Sequence, residues 1–335
     1  MWIVYLFLIY ILALFYSLKN KNEKYILIYL IPMFFTLAFQ VGIGTDYELY
    51  VAWLNYPETF SIKKGALFKS LLEVLNYFNN DRILFIVVAF FQIILLNLIL
   101  KRLLKMKIIE NIYSYFVILI IGTPIYYQMF NSLRSSISSL LFVLAVLNYK
   151  KIKILILCII GFFVHSSMLI ITPVLILKKY LNIYISKIIW GFYLVGCFIF
   201  MRTQSIYLVS NFIYNLNIDF KYKGYLVSEH MFRYKESLGI ATLVQFFLCL
   251  FFIIFIYKKQ KYIVLINLGI ITFGLRMIFY YTPVLNRMLE YMNIFQGLVI
   301  YQLIIRTFNK KYFYLGGVLF IFYILCYIRQ SSLML

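Results

Sequence analysis

Apolar runs recur from one end of the chain to the other, separated by short clusters of lysine and arginine. The runs near 2–18, 25–40, 83–100, 112–129, 133–149, 152–178, 183–201, 239–257, 262–282, 286–305 and 312–329 approach the roughly 20 apolar residues that a membrane-crossing helix needs. Backbone groups inside lipid have no water partner, so such segments must close their hydrogen bonds internally, as helices. Period-two alternation is absent across them, which argues against an outer-membrane barrel. The pattern therefore predicts an all-α, polytopic integral membrane helical bundle of about 10–11 hydrophobic helices, a single transmembrane domain over 1–335. Met1–Leu18 has neither a basic n-region nor a small-residue cleavage site and reads as a retained first span.

Two longer polar stretches interrupt the pattern, 41–82 and 202–238. Within the first, Leu67, Leu71, Leu75 and Phe78 recur at helical spacing with Lys63, Lys64 and Lys69 among them. That spacing predicts an amphipathic helix near 62–78 lying on the outer interface. Orientation follows from the cations. Placing Lys19–Lys24, Lys101–Lys107, Lys150–Lys153, Lys258–Lys261 and Arg306–Lys311 inside puts the N-terminus and both polar stretches outside. One segment breaks this parity: 152–178 has cations at both ends, Lys150–Lys153 and Lys178–Lys179. Parity returns if it enters and turns back as two half-helices meeting near His165–Ser166–Ser167, or if another short segment fails to cross. The alternative is a plain crossing with a cation pair outside. Non-helical backbone at membrane depth is tolerated where it lines a cavity, so the first option puts His165 at a functional cavity.

Composition narrows the class. Apolar residues make up 64% of the chain and charged residues 13%, about half the ~25% charged share of soluble domains. That excludes a soluble enzyme, a disordered chain and a disulfide-stapled secreted domain. The net charge of +21 does not indicate nucleic acid, because the cations sit between apolar runs and not along one face. The four cysteines each lie alone in an apolar run and read as packing residues. No zinc spacing, metal-binding carboxylate pair or nucleotide loop occurs, so neither a metal nor a cofactor is expected.

Ionisable residues in or beside spans are the first candidates for chemistry. In Gly42–Tyr50, two glycines precede Asp46 and Glu48, with Tyr47 and Tyr50 beside them. A tight loop there could present a carboxylate to a sugar hydroxyl as base or acceptor, with tyrosines stacking on sugar; alternatively Thr45 or Asp46 caps a helix. Arg134 opens a span in Asn131-Ser132-Leu133-Arg134-Ser135, sharing a helical face with Ser135 and Ser138. Its fork suits a pyrophosphate; otherwise it snorkels while the serines pack helices. His165 is the single histidine inside a span, where neutral imidazole can act as a base. His230 and Arg233 lie in the second polar stretch among charges and aromatics, suited to glycan or simply solvated. Arg276 falls mid-span and requires a partner or a wet cavity. Arg287 begins the next span with Glu290 at i+3, either as a local ion pair or as another phosphate donor. Together Arg134, Arg276 and Arg287 for a lipid-linked pyrophosphate, His165 or Asp46 for the proton, and Tyr47, Glu48, Tyr50, His230 and Arg233 for sugar are what glycosyl transfer from a polyprenyl-pyrophosphate requires.

The segment Phe39-Gln40-Val41-Gly42-Ile43-Gly44-Thr45-Asp46-Tyr47 resembles the Gly-Thr-Asp-Tyr segment of the EpsG family of Wzy-type polysaccharide polymerases. Asn131–Arg134 and then Phe163-Val164-His165-Ser166-Ser167 resemble that family's Arg and His-Ser segments, in the same order. Two positions depart: Gln40 stands where the family often has Arg, and Lys64 where an acidic residue often precedes the Gly-aromatic stretch. The resemblance implies an enzyme of the bacterial inner membrane with its site facing the periplasm or exterior. It implies joining of undecaprenyl-pyrophosphate-linked repeat units, donor to acceptor sugar hydroxyl, into capsule, exopolysaccharide or O-antigen without a metal. Membrane lipid and, optionally, a chain-length regulator are its partners. A membrane O-acyltransferase acting on the same glycan and a lipid-linked glycan transporter are the competing readings. The acyltransferase's N-terminal Arg/His pattern and the transporter's two-fold halving are both missing.

Overall fold

The computed structural model describes residues 26–42, 44, 46–215, 240–258 and 262–308; the expected spans at 2–18 and 312–329 lie outside them, as do His230 and Arg233. The described residues are helical and strand-free. They form two compact units, one running to Tyr180 and one beginning at Leu181.

The first unit opens with α1 (Ile26–Ala38). The polar stretch that follows folds into α2 (Tyr47–Asn55), two short 3-10 turns (Pro57–Thr59 and Ile62–Lys64) and α3 (Ala66–Asn76). Next come α4 (Arg82–Lys105), α5 (Ile112–Gly122), α6 (Ile125–Asn131), α7 (Leu133–Leu147) and α8 (Lys151–Val164). Two short pieces close the unit, α9 (Met168–Ile171) and α10 (Pro173–Leu177).

The amphipathic helix expected over 62–78 forms as α3, preceded by a turn at Lys63 and Lys64, because Gly65 takes a φ of +153° that ends the turn. Its buried stripe is Phe68, Leu72 and Leu75, while Leu67 and Phe78 are exposed. The stripe is shifted from the expected one because Phe68 packs on Tyr50 and Phe60. These residues join Leu54, Leu84, Phe85, Leu133 and Ile137 in one apolar cluster, which fastens the polar stretch to α4 and α7. Each such side chain contributes roughly 1.5–3 kcal/mol when buried from water.

Among the described residues, Arg82–Lys105 and Leu285–Ile305 are long and apolar enough to cross a membrane alone. The apolar run 112–129 instead bends by 61° between α5 and α6. Thr123 there is extended and precedes Pro124, which has no N–H for a helix ladder. Gln92 of α4 joins α6 to α7, donating to Met129 O at 3.0 Å and to Ser136 Oγ at 2.6 Å.

Helices α7 and α8 run antiparallel, with Ser138 Oγ donating to Gly161 O at 3.0 Å. Arg134 and Val164 thus share one end and Leu147 and Lys151 the other, about 20 Å away at 1.5 Å rise per residue. At the Leu147 end, Arg102 Nε donates to Leu147 O at 3.1 Å. Lys178 donates to Val146 O, and to Asn148 O at 3.2 Å. Segment 151–178 therefore leaves this end, breaks at 165–167 and comes back to it.

The second unit contains α11 (Lys187–Arg202), α12 (Ile206–Asn215), α13 (Ile240–Phe251) continued by a π turn to Ile256, and α14 (Ile263–Ile278). It ends with α15 (Pro283–Met288), a 3-10 turn (Leu289–Met292) and α16 (Asn293–Phe308). Gly269 and Gly274 let neighbours approach: a Cβ at either would lie 2.4 Å from Phe295 O or from the Tyr193 hydroxyl. Asn267 Nδ2 donates to Leu181 O and Ile183 O, at 2.8 and 2.9 Å. It accepts from the Tyr257 hydroxyl at 2.9 Å, which ties the unit's first residues to its helices.

Candidate active site in the first unit

Three short segments, far apart in the chain, meet at the Arg134–Val164 end of the first unit. The first is the glycine-acidic loop. Gly44, with φ +95°, packs so closely on Asn131 that a Cβ would sit 2.3 Å from the Asn131 Oδ1. Asp46 occupies the N-cap position of α2 but makes no capping hydrogen bond with its side chain; Thr45, the other capping candidate, lies outside the described residues. Tyr47 is half-buried, its ring stacked on Phe85 at 4.8 Å. Glu48 is exposed and Tyr50 buried. The Tyr50 hydroxyl accepts a hydrogen bond from the Arg134 guanidinium and lies within the field of Asp46. Burial pushes the Tyr50 phenol above its ordinary value, and Arg134 pulls the other way. The tyrosine that sequence reading assigned to sugar thus faces the arginine.

Arg134 opens α7. Its guanidinium carbon lies 5.1, 4.9 and 5.7 Å from the ring centres of Trp53, Phe60 and Phe68. Its Nη1 donates to Lys64 O at 3.3 Å. The same carbonyl accepts from Ser166 N at 3.4 Å. Both bonds are at the long end of the range, yet one backbone oxygen joins the arginine to the break after α8. Gly65 completes that junction: a Cβ there would stand 2.2 Å from Val164 O. Of the serines, Ser138 spends its hydroxyl proton on Gly161 and serves packing.

His165 ends α8 in an extended conformation (φ −149°, ψ 116°). Its Nδ1 accepts from Ser167 N at 3.1 Å and lies 2.6 Å from Ser167 Oγ. The imidazole therefore closes the turn that leads into the returning half of the segment. An acceptor Nδ1 carries no proton, so the neutral ring holds its proton on Nε2 and offers a donor there.

Arg276 and Arg287 belong to the second unit. Arg276 was expected mid-span; it sits instead in the last turn of α14, which stops at Ile278 ahead of the turn leading to Pro283. A cation is favoured at that carbonyl-rich end, and it donates to the Asn293 Oδ1. Arg287 lies in the first turn of the candidate span Leu285–Ile305, as expected; it is exposed and closes the short α15, before the 3-10 turn that carries Glu290. Sequence reading missed Trp53, Phe60, Phe68 and the Lys64 carbonyl. In a chain that is 21% aromatic, no single ring stands out.

Apolar helices and a half-buried arginine, carboxylate and imidazole gathered at one end of a helical unit define a membrane protein with a polar site built on broken backbone. The chain belongs to the EpsG family, whose model matches residues 23–334. That membership gives it a polysaccharide polymerase-type role with glycosyltransferase-like activity. No curated protein and no solved structure matches the chain.

Proposed function

We propose that the protein is a repeat-unit polymerase of the bacterial cell membrane. It transfers a growing glycan from an undecaprenyl-pyrophosphate to a sugar hydroxyl on the outer face. In the reaction the bond between the anomeric carbon and the pyrophosphate oxygen breaks. The acceptor oxygen forms the new glycosidic bond, and its proton passes to a base. The single observation that carries this reading is the shared Lys64 carbonyl, which holds Arg134 and the Ser166 amide together, with the Tyr50–Arg134 bond bringing in the Asp46 loop.

Roles follow from the donor and acceptor inventory. Arg134 stabilises the departing pyrophosphate. His165, with Nδ1 committed to Ser167, donates from Nε2 to the same oxygens. Asp46, half-buried beside the Tyr50 hydroxyl that Arg134 holds, receives the acceptor's proton. Glu48, exposed beside the loop, is the acid assigned to the sugar. The outward orientation is supported by the cations at the opposite end of the first unit, Arg102, Lys150, Lys151 and Lys178, which read as cytoplasmic. Segment 151–178 is then a re-entrant hairpin whose tip carries His165.

Deleting the gene and analysing lipid-linked glycan tests the reading. A polymerase mutant accumulates single repeat units on the lipid. Full-length chains lacking acyl groups would identify an acyltransferase instead, and units trapped inside a transporter. Complementation with Arg134→Ala is expected to leave the single-unit pattern.

A further inference from the structure

Resting on that function, we propose that Trp53, Phe60, Phe68 and the Tyr50 hydroxyl form an aromatic box that positions Arg134 as an uncancelled cation for a pyrophosphate headgroup. Three rings lie within 6 Å of the guanidinium carbon, the range in which a ring face attracts a cation. All three come from the polar stretch between α1 and α4, whereas the arginine comes from α7, so the stretch closes around a residue it does not own. Phe60 and Phe68 are almost fully buried, at 1% and 2% exposure, and fix two walls of the box.

The electrostatics of the box differ from those of an ion pair. The hydrogen-bond partners of Arg134 among the described residues are the Lys64 carbonyl and the Tyr50 hydroxyl, both neutral. Its Nε is buried without a partner. Ring quadrupoles and a carbonyl dipole stabilise the cation but leave its net charge in place; a carboxylate would have cancelled it. The Lys64 ammonium lies 5.7 Å from the centre of the same Trp53 ring. Two positive groups sharing one indole repel each other, and a bound dianion relieves that repulsion. A flat guanidinium fits between rings in a way that a hydrated ammonium does not, so the box demands arginine. Trp53, Phe60 and Phe68 are positioning residues here, since they act through Arg134.

Calorimetric titration of the full-length protein in detergent, with farnesyl pyrophosphate and separately with inorganic pyrophosphate, tests this. The wild type is expected to bind both saturably, which marks the headgroup and not the tail as the determinant. Phe60→Leu, Phe68→Leu and Arg134→Lys should each weaken both by about 3- to 30-fold, the span of one to two cation–π contacts. Trp53→Leu should do the same and Trp53→Phe, which keeps a ring, should restore binding to within about twofold. That rim pair decides the matter if a core variant fails to fold. Wild-type affinity in Trp53→Leu and Arg134→Lys overturns the box while leaving the function standing. Failure of the wild type to bind either probe overturns the pyrophosphate reading and the box with it.

Discussion

His165 accepts the Ser167 backbone N–H at Nδ1, and that bond decides which of its nitrogens carries the proton. Asparagine can reproduce the acceptor at Nδ1 but not the donor at Nε2, while glutamine does the reverse. His165→Asn is therefore expected to keep wild-type thermal stability in detergent while losing polymer formation, and His165→Gln to be less stable. A His165→Asn protein that makes normal polymer would remove the imidazole from the reaction. Gly65→Ala should cost about 2 kcal/mol or more, since it adds φ strain to a collision with the Val164 carbonyl; a melting curve in detergent measures it. Tyr50 gives a pH signature. Its folded-state value lies above its ordinary 10.0, so the folded chain keeps a proton that the unfolded chain releases. Its contribution is whole below that pH and is lost as pH rises beyond it. Melting temperatures taken from about pH 8 to about pH 11 should fall less steeply for Tyr50→Phe than for the wild type. Asp46, Arg134 and His165 were legible in the sequence because ionisable groups are scarce between apolar runs. The rings around Arg134 were not, because aromatic residues are everywhere.

Element boundaries were legible where one run made one helix, as in Ile26–Ala38, Arg82–Lys105 and Leu133–Leu147. They were obscured where a run of uniform hydropathy hides a backbone break. The Thr123–Pro124 bend, the His165–Ser167 turn and the 3-10 turn at Leu289–Met292 are all made by local hydrogen bonding and dihedrals, which an apolar count does not register. Only the break at His165 left a trace, through the charge parity of its flanks. The bonds from Lys178 to the end of α7 give that parity a physical form. With the native cysteines replaced by serine, a cysteine at Lys179 should resist a membrane-impermeant maleimide on intact cells and react after permeabilisation. Labelling from outside would contradict the hairpin. Lys178→Met leaves two helix-end carbonyls without this donor and should cost roughly 1–3 kcal/mol.

At the scale of the whole molecule, the segments that carry the family resemblance are concentrated in the first unit, between Phe39 and Ser167, while Arg276 and Arg287 stand in the second. The central claim is that the Asp46 loop, Arg134 and the His165 turn act as one centre on a lipid-linked diphosphate. Purified protein incubated with undecaprenyl-pyrophosphate-linked repeat units tests it most directly. The wild type should release one undecaprenyl-pyrophosphate for each glycosidic bond formed, and Asp46→Asn, Arg134→Ala and His165→Asn should each suppress both products together, by about 100-fold or more. Wild-type rates in all three variants, or polymer without lipid pyrophosphate release, would contradict the account.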